Sequence, residues 1–200
     1  MLQSGAGRAA IRDLAGVDVV ASTHRWFEAP APEELRILDR LRAPVLDIGC
    51  GPGRHVGSLV DDGVVALGID TAPAMVRAAR LRGAPVLERS IFDDLPGGGS
   101  WGSVLLLDGN IGIGGDPAAL LRRVRRLLRH DGFAIAELSP PGVAASVTIV
   151  RLEVDGEVSA PFSWATVPAE SITALSTAAG LRARRVWSEA DRWFSELART

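Results

Sequence analysis

Lysine and tyrosine are absent from this 200-residue chain, cysteine occurs once and histidine three times. Without lysine no Schiff base can form, and without tyrosine no tyrosinate base is available. The lone Cys50 makes no internal disulfide, and one cysteine with three scattered histidines gives no zinc-ligand spacing. A metal-free protein of the reducing cytoplasm is therefore expected. Long apolar runs are also missing: the stretch from Leu14 to Ala21 is broken by Asp18, so neither a signal peptide nor a membrane span is expected. Nor is there an excess of positive charge. All 22 basic residues are arginine, and 24 acidic ones leave a net charge of -2. No global field draws nucleic acid or anionic lipid, and neither is an expected partner.

What is present is the composition of an ordinary globular protein, 47% hydrophobic and 23% charged. The length fits one domain spanning 1–200, with 1–43 read as a leader or cap. Within it a short helix carries Leu35, Leu38 and Leu41 on one face. From Pro44 to Leu138 buried strands alternate with amphipathic helices, the pattern of a parallel sheet covered on both sides. Strands are expected at Val45 to Ile48, Val64 to Ile69, Pro85 to Ser90, Trp101 to Leu107 and Phe133 to Leu138. Helices between them end at Gly63, Gly83 and Gly132, with Thr71 and Asp116 as N-caps. Within 146–164, Asp155-Gly156 joins two further strands as a hairpin insertion. A helix from Pro168 to Ala179 precedes a strand at Leu181 to Trp187, and Arg192 to Leu197 is either its antiparallel partner or a terminal helix.

The chemistry concentrates where the first strand meets its helix. Three glycines, Gly49, Gly51 and Gly53, lie within five residues between a clear strand and a clear helix, the context in which such glycines mean ligand binding. They let the backbone turn and approach a ligand, and the helix start favours a negative group. A dinucleotide fingerprint would require glycine at the position of Arg54. Asp70, ending the second strand, stands where a carboxylate accepts from ribose hydroxyls.

Asp47-Ile48-Gly49-Cys50-Gly51-Pro52-Gly53, followed by Gly68-Ile69-Asp70-Thr71-Ala72-Pro73-Ala74-Met75, resembles the two leading motifs of class I S-adenosylmethionine-dependent methyltransferases. The resemblance implies an α/β fold, a three-layer Rossmann-like sandwich with a seven-stranded, mostly parallel sheet ordered 3-2-1-4-5-7-6. It implies S-adenosylmethionine as cofactor, held by Asp47, Gly49, Cys50, Gly51 and Gly53. Asp47 would meet the ammonium group, Asp70 the ribose, and Thr71 and Met75 the adenine. A third segment, Arg89 to Pro96, is similar to the family's acidic adenine-binding run, with Ser90 in place of the acid and Ile91 and Phe92 left to pack on the ring.

The loop from Asp108 to Gly115 would then face the methyl group. It lacks the Pro-Pro-aromatic run of enzymes that methylate planar amines, and it lacks a catalytic cysteine. A small-molecule acceptor, methylated on O or N, is expected. Asp108 and His24 are the candidate bases, with Asp108 also beside the cofactor, and Arg25 and Asn110 would orient the acceptor. His55 reads as a helix-surface or packing residue rather than a base, and the arginines from Arg122 to Arg129 as the solvated face of a helix. The aromatics Trp26, Phe27, Phe162, Trp164, Trp187, Trp193 and Phe194 wall a pocket or anchor the leader. Two rivals remain: a protein that binds the cofactor without methyl transfer, and a nicotinamide-dependent reductase.

Overall fold

The computed structural model describes residues 8–20 and 23–200; the leader's residues 1–7 and 21–22 lie outside it. The chain opens with strand β1 (Ala9–Asp13), a 3-10 turn over Thr23–Phe27 and helix α1 (Pro32–Leu38). Next come β2 (Val45–Ile48), α2 (Arg54–Asp61), β3 (Ala66–Asp70), α3 (Pro73–Leu81), β4 (Val86–Glu88) and β5 (Trp101–Leu106). Helix α4 (Pro117–Leu127) passes directly into β6 (Leu128–Leu138). The remainder is β7 (Ser146–Val154), β8 (Glu157–Val158), β9 (Phe162–Thr166), α5 (Ile172–Ala178), β10 (Leu181–Glu189) and β11 (Arg192–Arg199).

Seven strands form the main sheet in the order β10-β11-β6-β5-β2-β3-β4. The pairs among β6, β5, β2, β3 and β4 are parallel, and β11 runs antiparallel to both β6 and β10. The terminal segment is thus a strand. Side chains alternate across the sheet and build two cores, as the pleat requires. Leu46, Ile48, Val104 and Leu106 pack against α4 and α5 on one side; Val45, Leu105 and Ile135 pack against α1, α2 and α3 on the other. Three layers result, and no helix among the described residues is long and apolar enough to cross a membrane.

A second, smaller sheet lies outside this frame. Its centre is β7, paired antiparallel with β1, β8 and β9. The Asp155-Gly156 turn has positive φ at both residues, 48° and 90°, as a tight hairpin demands. From the sequence, the insertion is expected to be a hairpin alone, apart from the leader. Instead the leader supplies a strand to the insertion, because Ile11 buries its side chain beside Val150 and Trp164.

Several helix details also differ from expectation. Helix α3 starts at Pro73 with Ala72, not Thr71, at the N-cap; the Asp70 carboxylate accepts from the Ala72 amide at 2.8 Å. On α1 the buried positions are Glu34, Ile37 and Leu38, while Leu35 faces solvent. On α4, Arg123 donates to the carbonyls of Ile91 and Asp93 and Arg125 to that of Gly180, so that face ties loops down.

Candidate active site

The carboxyl ends of β2, β3 and β5 open onto a cavity of about 610 Å3, the place where ligands sit in open parallel sheets. The three loop glycines are needed for three different reasons, and two of them, Gly49 and Gly51, border the cavity. A Cβ on Gly49 would stand 2.7 Å from the Asn110 side chain, which donates to the carbonyls of Ile48 and Gly49. On Gly51, whose φ is +53°, nothing lies within 4 Å of the Cβ position, and the residue lines the cavity. On Gly53 a Cβ would meet those of Ala84 and Ala79 at 2.8 and 3.0 Å. Gly53 therefore serves helix packing and does not line the cavity, a correction to the ligand-facing role expected of it. Cys50 also packs inward, against Gly68 of β3, and burial raises its thiol pKa above the ordinary range.

Asp70 anchors the loop from the next strand. One carboxylate oxygen accepts from the Gly51 amide at 2.9 Å and the other from Ala72. Burial pushes its pKa up, against the lowering effect of those amides. Thr71, Met75, Ile91 and Phe92 all line the cavity, Met75 and Ile91 from the core and Phe92 from an exposed rim. Ser90 lines it too, and its hydroxyl accepts from the Phe92 amide at 3.2 Å.

Behind the loop lies an ion network that the sequence does not reveal. Arg54 donates to both oxygens of Glu34 and, at 2.9 Å, to Asp108. Arg192 of β11 donates to Glu34 at 2.5 Å, Glu137 at 2.6 Å and Asp108 at 3.2 Å. Burial alone would raise the Glu34 pKa, but His55 and Arg54 overrule it and hold the carboxyl well below the usual range. The same pairing raises the pKa of both arginines despite their burial. Asp108, with φ of +55°, lines the cavity, but both its oxygens accept from guanidinium groups.

His55 is buried, not a surface residue of α2. Its Nδ1 lies 3.6 Å from Asp47 Oδ2 and its Nε2 3.7 Å from Glu34 Oε1. Both neighbours push its pKa up to about 9, against the opposing effect of burial. Asp47, only 2% exposed, lines the cavity with an Oδ2 that has no hydrogen-bond partner.

The opposite wall is apolar. Ile11, Trp26, Ile113, Leu152, Phe162 and Trp164 line it, with the Phe162 and Trp164 rings edge to face at 6.2 Å. Trp187 and Phe194 stack on each other elsewhere, and Phe27 does not line the cavity. Of the expected acceptor residues, Asn110 reaches the cavity but is committed to the glycine loop. His24 is exposed and does not line the cavity, and neither does Arg25. The 3-10 turn that carries both presents Trp26 to the cavity instead.

Residues 45–132 match the family described as methyltransferase domain. A ubiquinone biosynthesis O-methyltransferase from Xanthomonas oryzae pv. oryzae is 30% identical over 157 residues, 66% of this chain and 64% of that protein. The chain thus spans just under two thirds of that relative. A SAM-dependent methyltransferase from Bacteroides fragilis, solved with S-adenosyl-L-homocysteine, superposes with a TM-score of 0.80 at 20% identity, covering 96% of this chain and 88% of that one. The sugar N-methyltransferase KedS8 from Streptoalloteichus gives 0.60 at 21% identity over 82% and 85%. In its sheet order the chain shares the fold of these methyltransferases, and its glycine loop lies within the segment that matches the methyltransferase-domain family.

Proposed function

We propose that this protein transfers a methyl group from S-adenosylmethionine to a small-molecule acceptor through oxygen or nitrogen. The observation that carries the reading is a single cavity with two unlike halves, the glycine loop with Asp47 and Asp70 on one side and the Trp26, Phe162 and Trp164 wall on the other. The residues present fit the cofactor. Asp47 brings a carboxylate with no guanidinium partner to the cavity wall, suited to a primary ammonium group. Gly51 leaves free the space a side chain would fill, and Asp70 offers acceptors for ribose hydroxyls. Met75, Ile91 and Phe92 supply apolar surface for adenine, and Ser90 replaces the family's acid there. When bound, the cofactor supplies an electrophilic methyl group on a sulfonium centre.

What the chain adds is alignment and dryness. The aromatic wall excludes water and holds the acceptor for in-line attack. Asp108 acts as a positioning anchor between Arg54 and Arg192 rather than as the proton acceptor, since taking a proton there would remove one of the charges that balance two buried guanidinium groups. His24, exposed away from the cavity, takes no part in proton transfer. The acceptor is enclosed by the smaller sheet, which favours a small molecule over a polymer lying across the surface.

Calorimetric titration with S-adenosylhomocysteine and with NADH tests the cofactor half, and labelled methyl transfer into a metabolite extract tests the other half. Saturable binding of the first compound alone, with label appearing in low-mass products, is expected. Preference for NADH would overturn the reading, and cofactor binding with no labelled product would make the protein a binder only.

A further inference from the structure

Four buried or nearly buried carboxylates cluster here: Asp47 and Asp108, which line the cavity, and Glu34 and Glu137 behind them. Guanidinium groups hold three of them. Asp47 has none. Among the described residues the single cation within ion-pair distance of it is His55, at 3.6 Å. A charge buried this deep needs a partner.

We infer that His55 is a positioning residue of the cofactor site: as an imidazolium between Glu34 and Asp47, it gives the buried Asp47 carboxylate a counter-charge and holds it in place to receive the cofactor's primary ammonium group. The inference rests on the cofactor reading above. Three observations support it. The ring is 3% exposed and stands between two acids from different elements, Asp47 on β2 and Glu34 on α1, at 3.6 and 3.7 Å. Asp47 Oδ2, facing Nδ1, and His55 Nε2, facing Glu34, are both buried without hydrogen-bond partners, so the ring meets the two acids by charge rather than by directed bonds. Of the other charged groups packed here, Arg54 on the same helix opposes the imidazolium charge, and Arg192 from β11 is engaged with Glu34; the two acids prevail and push the pKa of the ring up to about 9.

The chemistry separates this role from simple packing. S-adenosylhomocysteine carries the amino-acid arm, and 5'-methylthioadenosine lacks it while keeping the adenosine and sulfur. The wild-type chain binds both. His55→Ala weakens the first on the order of tenfold, the worth of one charge-assisted contact, and leaves the second within about twofold. His55→Gln, polar but uncharged, weakens the first by a similar factor. Equal losses for the two ligands, or unchanged affinity for both, would overturn the inference. Failure of the wild-type chain to bind S-adenosylhomocysteine would instead overturn the cofactor reading. Nitrogen NMR of the wild-type protein gives an arm that needs no variant: both ring nitrogens of His55 carry protons at pH 7.5, and a neutral ring at that pH would contradict the proposal.

Discussion

At Asp70 one carboxylate joins two strand ends, accepting from the amides of Gly51 and Ala72 while bordering the cavity. Asp70→Ala is expected to weaken S-adenosylhomocysteine binding by about 1.5–3 kcal/mol, the worth of a charge-assisted hydrogen bond. Calorimetry on the folded variant reads this directly, and unchanged affinity would remove Asp70 from the site. Gly51→Val should abolish binding, because a β-branched residue is strained at φ +53° and its side chain would enter the cavity. Circular dichroism of the same sample checks that the sheet persists. These residues were legible in the sequence because their meaning is local: strand, glycine loop and acid lie within 25 residues. Asp108 was not. Its location beside the cavity followed from its strand, but its partners Arg54 and Arg192 stand 54 and 84 residues away, and no spacing rule reaches that far.

Helix α1 shows how one side chain binds an element to the rest. Its first turn places Glu34 where the carboxylate accepts from the Ala31 amide, and the same carboxylate takes bonds from Arg54 and Arg192. Glu34→Gln retains the shape but not the charge. Breaking one partner of a buried ion cluster costs on the order of 3 kcal/mol, which for a chain of this size lowers Tm by roughly 6–12 °C. Thermal unfolding at pH 7 measures it. The pH dependence has a definite sign. Folding lowers the Glu34 pKa, so its stabilising effect is present above the unfolded value of about 4.3 and is lost as pH falls below it. Stability of the parent should therefore fall more steeply than that of Glu34→Gln between about pH 5 and 3. A parallel decline would show Glu34 to be uncoupled from the network. Periodicity assigned α1 correctly as a helix and misjudged its inner face, since a glutamate reads as solvated until its arginine partners are known.

Across the whole molecule, the main sheet supplies the glycine-loop half of the cavity and the smaller sheet much of the apolar half. The strand and helix order of the first was readable because hydrophobic periodicity and turn residues mark each element. The second was hidden: β1 is five residues long, with no alternation of its own, and becomes a strand only by pairing with β7 some 140 residues later. Trp164 belongs to that sheet and touches the loop after β5 through its bridge to Ile113. Trp164→Ala is expected to depress methyl transfer at least tenfold while leaving S-adenosylhomocysteine affinity within about twofold, because its surface serves the acceptor. An equal fall in both would place the indole in the cofactor half.

The most direct measurement is a crystal structure of the chain with S-adenosylhomocysteine. The account predicts the amino group on Asp47, the ribose hydroxyls on Asp70, and the sulfur turned toward Phe162 and Trp164. A ligand seated elsewhere, or one in this cavity with its amino-acid arm away from Asp47, would contradict it.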